Sequence, residues 1–451
     1  MRTPHSIILP VLLVLTGCEL LGDTSLPDYG EIEDPSYVRH VEVLFEDRCT
    51  QCHGQAAALP DLRSWEGMLR GGAAGGVVVP FEVSRSKLIR VLGTGHPADA
   101  GGDTLTTEEI DFLRRWIAAG ARHDDGRIPY ADAEHRVAAV IPDQAVVAVV
   151  AVDYGAIARV VDLERLGFGS SANPRDAAVA GTTGDWFVSV PGEGAVMRFD
   201  ATLALTGLAE VPFPGQVAVS PDGAWVAVGT GSGGVEGRIH LIETRDMRVR
   251  PVDSVFPGTR AVAVRAGGDM AYAASFSADQ LLVAPVSPGA ASYMAFSGPR
   301  HGVIRLRTSA DGTRLAAFGG TSGEVVIVET TAPASPRQIG TFGTGSQLVD
   351  GALSQEGGVI AVDAQGGVWY RDSLESGAAA LLTSVPGATT VTEVGGHAVL
   401  GGAALNVVWP YPAGPQAGLV TIRDPAGGMR LVEVDGVPVA LTRLSGAAPT
   451  R

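Results

Sequence analysis

The spacing of apolar residues changes once along this chain, near residue 126. Upstream, apolar residues recur at spacings of three, three and one, which place them on one face of a helix. They are Val38, Val41, Leu44 and Phe45. Downstream, helical stripes disappear, and short β-branched runs alternate with Gly, Asp and Pro turns. The pattern predicts a small helical part followed by a larger β part.

A second helix is predicted in the upstream part. Thr106 and Glu109 have the spacing of a capping box, in which each side chain bonds to the backbone of the other at a helix N-terminus. An apolar stripe follows and ends at Gly120, a residue type that commonly terminates helices. The members of the stripe are Ile110, Leu113, Trp116 and Ile117.

The downstream part contains a repeated β unit. It consists of a strand, a tight turn, a second strand, a loop and a third strand, and it is clearest over 217–228 and 237–244. Similar turns recur about every 40 residues, close to the period of a four-stranded propeller blade. The turns centre near Asp143, Gly184, Asp222-Gly223, Gly267-Gly268, Asp311-Gly312, Gly357 and Gly395-Gly396.

Seven turn centres predict a seven-bladed propeller, because closing a ring buries strand faces that a single blade would expose. The stretch 418–441 contains three further apparent strands. They either complete the first blade or form an eighth. The predicted fold class is therefore multidomain, with a small all-α domain over 35–127 and an all-β propeller over 136–448.

Composition narrows the function classes. The 451 residues leave room for two or three domains, and the 45% hydrophobic content indicates packed globular structure. The formal net charge of −16 argues against a nucleic-acid partner and against electrostatic adhesion to anionic lipid. Residues 23–34 are rich in Pro, Gly and acidic residues and lack periodicity, which is typical of a solvated tether.

The sequence Cys49-Thr50-Gln51-Cys52-His53 carries the strongest chemical signal. At C-x-x-C-H spacing, two thiols bond to the vinyl groups of one haem while the adjacent histidine ligates its iron. A C-x-x-C pair also occurs in zinc half-sites and in thiol–disulfide pairs, but zinc needs two more ligands and the chain has only three cysteines. We therefore predict one covalent haem c, attached through Cys49 and Cys52 and ligated by His53.

From Val41 to Ala121 the chain resembles the class I cytochrome c domains of environmental bacteria. The matching residues are Phe45, the segments 48–54, 71–72 and 86–88, and the run 105–121. The resemblance implies a cytochrome c domain and a sixth iron ligand in the loop before the last helix. That ligand is usually a Met followed by Pro. Here the loop contains no Met, and His96 precedes Pro97 at the matching place.

We predict bis-histidine ligation by His53 and His96. The alternatives are an open sixth position, with His96 a solvated loop residue, or ligation by Met68, the one Met in this domain. Met68 comes fifteen residues after His53, well before the loop that supplies the ligand in the family. Two imidazoles give a lower potential than a His/Met pair, because a thioether ligand raises the potential of haem iron.

The N-terminus has the layout of an export signal. Arg2 precedes an apolar run over 7–15 that is too short to span a bilayer. The end of the run, Leu15-Thr16-Gly17-Cys18, resembles the lipobox of bacterial lipoproteins, which implies a signal peptide over 1–17, lipidation of Cys18 and a lipidated tether over 18–34. Glu19 follows, and the sorting rule of two-membrane bacteria then implies a cell-envelope protein at the outer membrane.

The propeller sequence contains no recognisable catalytic motif. His240, His301 and His397 lie in different predicted blades, and no His or carboxylate cluster has metal-ligand spacing. The Ser-Pro-Asp-Gly turn at 220–223 resembles blades of the YVTN and lactonase-like propellers, a match of architecture and not of activity. The propeller is therefore interpreted as a recognition surface.

Three functional hypotheses follow. In the favoured one, the chain is a membrane-anchored c-type cytochrome that transfers single electrons while the propeller docks a redox partner protein. In the second, it is an oxidoreductase whose propeller binds a substrate or second cofactor and uses the haem as an electron port. In the third, the haem only stabilises the fold. Whether the chain is an enzyme stays open.

The lipid anchor has a direct test. A Cys18→Ser variant is expected not to incorporate labelled fatty acid and to leave the membrane fraction, because it lacks the thiol that is acylated. Metabolic labelling and fractionation measure both effects. A wild-type protein that is itself soluble and unlabelled contradicts the lipoprotein assignment.

Overall fold

The computed structural model describes residues 26–54, 59–73, 75–97, 102–230, 236–253, 256–354, 356–375, 377–403, 417–423, 425 and 428–444. The predicted signal peptide, Cys18 and the first part of the tether lie outside the described residues. Within them, the chain begins with short helices and continues as strands to its last described residue.

Both predicted helices are present. A π-helical turn, Tyr37–Val41, leads directly into α1, Glu42–Arg48, and buries Val41, Leu44 and Phe45, whereas Val38 is 45% exposed. Two short helices follow, α2 at Trp65–Arg70 and α3 at Lys87–Leu92. The last, α4 at Thr107–Ala118, starts with the predicted capping box, and Ala119 and Gly120 end it.

The strands form seven antiparallel sheets, each a blade of the propeller. The first three strands are β1 (Arg136–Ile141), β2 (Val146–Ala151) and β3 (Ala156–Asp162). Blade 2 contains β4 (Asp176–Val179), β5 (Trp186–Val190), β6 (Ala195–Phe199) and β7 (Leu205–Glu210). Blade 3 contains β8 (Pro214–Val219), β9 (Trp225–Thr230), β10 (Glu236–Glu243) and β11 (Arg248–Pro251), with the short β12 (Phe256–Pro257) paired to β10.

The remaining blades repeat this order. Blade 4 contains β13 (Thr259–Val264), β14 (Met270–Ser275), β15 (Gln280–Pro285) and β16 (Ser292–Ala295). Blade 5 contains β17 (Val303–Thr308), β18 (Arg314–Gly319), β19 (Glu324–Glu329) and β20 (Arg337–Gly343). Blade 6 contains β21 (Leu348–Leu353), β22 (Val359–Asp363), β23 (Gly367–Arg371) and β24 (Ala380–Ser384). Blade 7 contains β25 (Ala388–Val394), β26 (His397–Ala403), β27 (Ala417–Arg423) and β28 (Met429–Asp435), and β29 is Ala440–Leu444.

The C-terminal strand closes the ring. β29 pairs with β1 and becomes the inner strand of blade 1, whose order is β29-β1-β2-β3. The stretch 418–441 therefore supplies the outer strands of blade 7 and the start of this closing strand, and the described residues form no eighth blade. The turn at Asp143 is real but joins the second and third strands of its blade, whereas the other six predicted turns join the first and second.

The prediction of a separate all-α domain is wrong. A single hydrophobic core contains α1 and α4 residues, such as Phe45 and Trp116, together with propeller residues such as Val147 and Phe199. The chain is mostly β, and its short helices complete the core of the propeller's first two blades. We call residues 35–127 the helical segment.

Charged groups join the helical segment to both sides of the ring closure. Arg85 and Arg90 bind Asp435 of β28, with N–O distances of 3.0 and 3.3 Å. Glu82 accepts two hydrogen bonds from Arg165, at 2.6 and 2.8 Å. Arg165 follows β3, the last strand of blade 1 in the sequence. Because several of these groups are partly buried, water screens their attraction less than on an open surface. The helical segment is thereby held against blades 1 and 7.

Close backbone approach strengthens the same contact. The Gly76 amide donates to the Gly155 carbonyl at 3.3 Å. Gly75 has a positive φ of 82°, and a Cβ there would collide with the same carbonyl oxygen. Both its conformation and its contact therefore require glycine at this position.

A buried ionic tie crosses the centre of the ring. Arg305 of blade 5 binds Asp350 of blade 6 at 2.8 Å and Asp176 of blade 2 at 3.2 Å. Each aspartate also accepts the backbone N–H of a residue 41 positions later in the next blade, Val217 or Val391. The repeat thus places two equivalent carboxylates where one guanidinium reaches both.

Electrostatics favours the charged state of this tie. Burial alone would raise the pKa of Asp350, but Arg305 and Arg307 hold that pKa below its ordinary value. Burial likewise opposes the charge on Arg305, and the two aspartates nevertheless raise the pKa of Arg305. Arg305 and Asp350 therefore each favour the charged form of the other.

None of the helices in the described part of the chain is both long enough and apolar enough to cross a membrane.

Removing Arg305 tests the tie. An Arg305→Met variant is expected to lose about 3–5 kcal/mol of unfolding free energy, because Asp176 and Asp350 stay buried without their cation. Urea unfolding measures the loss. Arg245→Met is the matched control, since its side chain is 82% exposed and its removal is expected to change stability by less than about 0.5 kcal/mol. Equal unfolding midpoints in the two variants contradict a stabilising tie.

Candidate functional site

The C-x-x-C-H sequence lies at the end of α1. The Cys49 amide donates to the Phe45 carbonyl at 2.8 Å, which makes Cys49 the C-cap residue of the helix. The amides of Cys52 and His53 then both donate to the Cys49 carbonyl, at 3.2 and 3.0 Å. This tight turn brings the two cysteines and the histidine to one end of the helix.

The two thiols are free and differ in environment. Cys49 is partly buried and Cys52 is exposed. Burial raises the pKa of the Cys49 thiol to about 12. Thiol–disulfide exchange requires a thiolate, which low-pKa cysteines supply. The environment of Cys49 is therefore unsuited to a redox-active dithiol, one of the alternatives that the sequence left open.

Helix α4 holds α1 in place through one buried carboxylate. Glu109 accepts a hydrogen bond from the Arg48 side chain at 3.1 Å and another from the Thr106 amide at 2.7 Å. Glu109, which belongs to the capping box of α4, therefore also holds Arg48, the residue immediately before Cys49. The capping box thus helps to position the cysteines as well as to start the helix.

The structure brings His53 and His96 together. Their ring centroids are 5.8 Å apart and their planes are nearly perpendicular, at 84°. A metal–imidazole bond is about 2 Å long, so two imidazoles on opposite sides of one metal atom have centroids about 6 Å apart. The observed separation fits a pair of axial ligands, although 43 residues separate the two histidines in the sequence.

The environment of His53 favours a neutral ring. Burial and the neighbouring His96 lower the pKa of His53, and the Pro60 carbonyl partly opposes this shift. Its buried Nδ1 has no hydrogen-bond partner among the described residues.

The alternative ligand, Met68, has a different environment. It lies in α2 and is fully buried in the hydrophobic core. The ring beside His53 is that of His96, and this geometry favours His96 over Met68 as its partner.

The described residues contain no group of three or more His, Cys, Asp or Glu side chains that could hold a metal ion. A haem iron needs no such group, because the porphyrin supplies four ligands and the protein supplies the axial ones. Cys49, Cys52, His53 and His96 therefore fit a covalently attached haem. A zinc ion would need its four ligands grouped around it, and among the described residues no three such side chains are grouped in that way.

The propeller histidines do not form a site together. His240 is buried in β10, and burial lowers its pKa. His301 is buried between blades 4 and 5, where its ring contacts Ser322 and the Ser297 carbonyl at 3.2 Å each. His397 starts β26 in blade 7. Their environments are those of structural residues.

Sequence reasoning missed a group of arginines at the centre of the ring. Arg305 and Arg307 both lie on β17, and Arg260 lies on β13. Arg175 directly precedes β4. The available signal was an alternating pair of arginines on the first strand of a blade, the strand that borders the central channel.

Two sequence comparisons found no match. No family model matches the chain, and no curated protein matches it.

Solved structures match the fold. A functionally unknown protein from Desulfotomaculum acetoxidans is similar to 68% of this chain over 98% of its own length, with a TM-score of 0.55 and 12% identity. A putative 6-phosphogluconolactonase from Bacteroides uniformis matches 69% of this chain over 100% of its own, with a TM-score of 0.53 and 16% identity. The periplasmic gluconolactonase PpgL from Pseudomonas aeruginosa matches 69% over 99%, with a TM-score of 0.51 and 18% identity.

These likenesses define the class of fold. The chain contains a seven-bladed β-propeller that resembles lactonase-like structures, as the turn pattern predicted. At such low identity the likeness concerns the fold alone.

Proposed function

We propose that this chain is an electron-transfer protein that carries one haem c in its helical segment. Cys49 and Cys52 attach the haem, and His53 and His96 ligate its iron. The haem supplies reversible one-electron transfer when bound. A lipid on Cys18 anchors the protein in the cell envelope, at the outer membrane, and the propeller docks a redox partner protein.

The approach of His96 to His53 carries the proposal. The motif supplies three of the four proposed haem-binding residues, Cys49, Cys52 and His53. The fourth, His96, is distant in the sequence, yet its ring lies beside that of His53. The high pKa of Cys49 also disfavours the competing dithiol chemistry.

The attachment site is tested by removing both thiols. In cells with a cytochrome c maturation system, the Cys49→Ala/Cys52→Ala variant is expected to lose haem stain on a denaturing gel, because no thioether can form. Cys18→Ser is the matched control: it removes the third cysteine and is expected to keep the stain. Stain retained in the double variant contradicts the attachment. Circular dichroism of the propeller strands shows whether that variant is folded.

The sixth ligand is tested by visible spectroscopy. The ferric wild-type protein is expected to be low-spin and to lack the sulfur-to-iron charge-transfer band. His96→Ala is expected to become high-spin or to bind added imidazole, whereas Met68→Leu is expected to keep the wild-type spectrum. His96→Met is expected to raise the potential, because a thioether ligand does so. An unchanged spectrum in His96→Ala, or a changed one in Met68→Leu, contradicts the assignment.

A further inference from the structure

The stretch of chain just before the helical segment packs against that segment. Tyr29 is 4% exposed, and its ring centroid lies 5.0 Å from that of Phe112 on α4. Leu26 and Ile32, on either side of Tyr29, pack against the same hydrophobic core. Residues 26–34 belong to the predicted solvated tether, yet they are seated on the folded protein. We call them the strap.

Hydrogen bonds fix the path of the strap. The Arg115 side chain of α4 donates to the carbonyls of Tyr29 and Ile32, at 2.8 and 3.4 Å. The Tyr29 hydroxyl donates to the His40 carbonyl in the π-helical turn at 3.4 Å. Burial raises the pKa of Tyr29 to about 12, so this hydroxyl keeps its proton at neutral pH. The strap is thus held by two helical elements.

The strap lies next to the residues that position the C-x-x-C-H motif. Phe112, which Tyr29 contacts, follows Glu109 by nearly one turn of α4, so the two side chains are neighbours on the helix. Glu109 in turn binds Arg48, the residue before Cys49. The strap is therefore linked through α4 to the Cys49 end of α1.

The strap shortens the link between Cys18 and the folded protein. Eight Cα–Cα steps separate Cys18 from Leu26, which is at most about 28 Å of extended chain. Without the contacts of the strap, the link would run over nineteen steps to Tyr37, the start of the π-helical turn, and would span up to about 66 Å. These contacts more than halve the distance by which the helical segment can stand away from a lipid on Cys18.

The exposed side chains of the strap are acidic. They are Asp28, Glu31, Glu33 and Asp34. The negative surface potential of anionic lipid repels carboxylates. This side of the protein therefore does not adhere to such a membrane by itself, and the length of the link to Cys18 limits its distance from the membrane.

We infer that the strap holds the Cys49 end of the helical segment next to the membrane, and that the redox partner is a protein held in the same membrane. The inference rests on the proposed function, since it needs both the lipid on Cys18 and the haem. A short link gives the two proteins a high effective concentration with respect to each other. A partner free in solution would gain no such advantage, so the strap favours a membrane-held one.

Two insertions of twelve Gly and Ser residues test the strap in the haem-loaded, lipidated protein, bound to vesicles that contain a fluorophore-labelled lipid. An insertion between residues 25 and 26, upstream of the strap, raises the maximal reach to about 70 Å and is expected to weaken quenching of the fluorophore by the haem at least about twofold. The same insertion between Asp34 and Pro35 is expected to leave the quenching unchanged, because the strap contacts remain upstream of it. Equal quenching in the two insertion variants overturns the inference.

Electron transfer tests the kind of partner. A lipid-linked ferrocenium in the vesicle accepts one electron from each ferrous haem, which becomes ferric. The upstream insertion is expected to slow this oxidation severalfold, because a longer link lowers the effective concentration. The downstream insertion is expected to keep the wild-type rate, and soluble ferricyanide is expected to oxidise all three proteins at one rate. An unchanged rate with the lipid-linked probe after the upstream insertion overturns the inference.

Two controls separate this inference from the proposed function. Haem staining shows whether the haem is attached, and flotation with the vesicles shows whether the lipid anchor is present. A protein that lacks the stain or does not float refutes the proposed function and the inference with it. A protein that is stained and floats, but whose two insertion variants behave alike, refutes the role of the strap alone.

Discussion

The pairing of β29 with β1 is the constraint on which the other parts of this structure depend. A propeller has no free inner edge only if its last blade meets its first, and here the C-terminal strand supplies the inner strand of blade 1. The helical segment lies against blades 1 and 7, the two blades that this closure brings together. The ionic tie at the centre likewise requires a closed ring, since Arg305 reaches a carboxylate three blades away.

Much of the propeller could be predicted from local sequence, because its turns are formed by short, specific residue patterns. All seven turn centres lie in β-hairpins in the structure. The capped helix predicted after Thr106 is also present. What local sequence does not contain is the position of a hairpin within its blade. The turn at Asp143 joins the second and third strands, because the first strand comes from the other end of the chain.

The error about a separate helical domain has the same origin. Helical periodicity shows which side of a helix is apolar, but it does not show what covers that side. Here it is covered in part by propeller residues such as Val147, and Arg85 finds Asp435 across 350 positions of sequence. At the candidate site, the motif singled out Cys49, Cys52 and His53, and the resemblance to cytochrome c domains pointed to His96. The structure adds that the rings of His53 and His96 lie close together. The contacts of Arg305 with Asp176 and Asp350 were missed because these residues come together only when the ring closes.

The contact between Arg85 and Asp435 also bears on the order in which the protein acquires its structure. A chain emerges from the ribosome N-terminus first, so the helical segment is made long before the strand that carries Asp435. Contacts between residues so distant in sequence form slowly, since a large loop must close first. The helices at the start of the chain therefore reach their final position only after the last blade is in place. A substitution that disrupts the last blade is then expected to displace the helical segment as well.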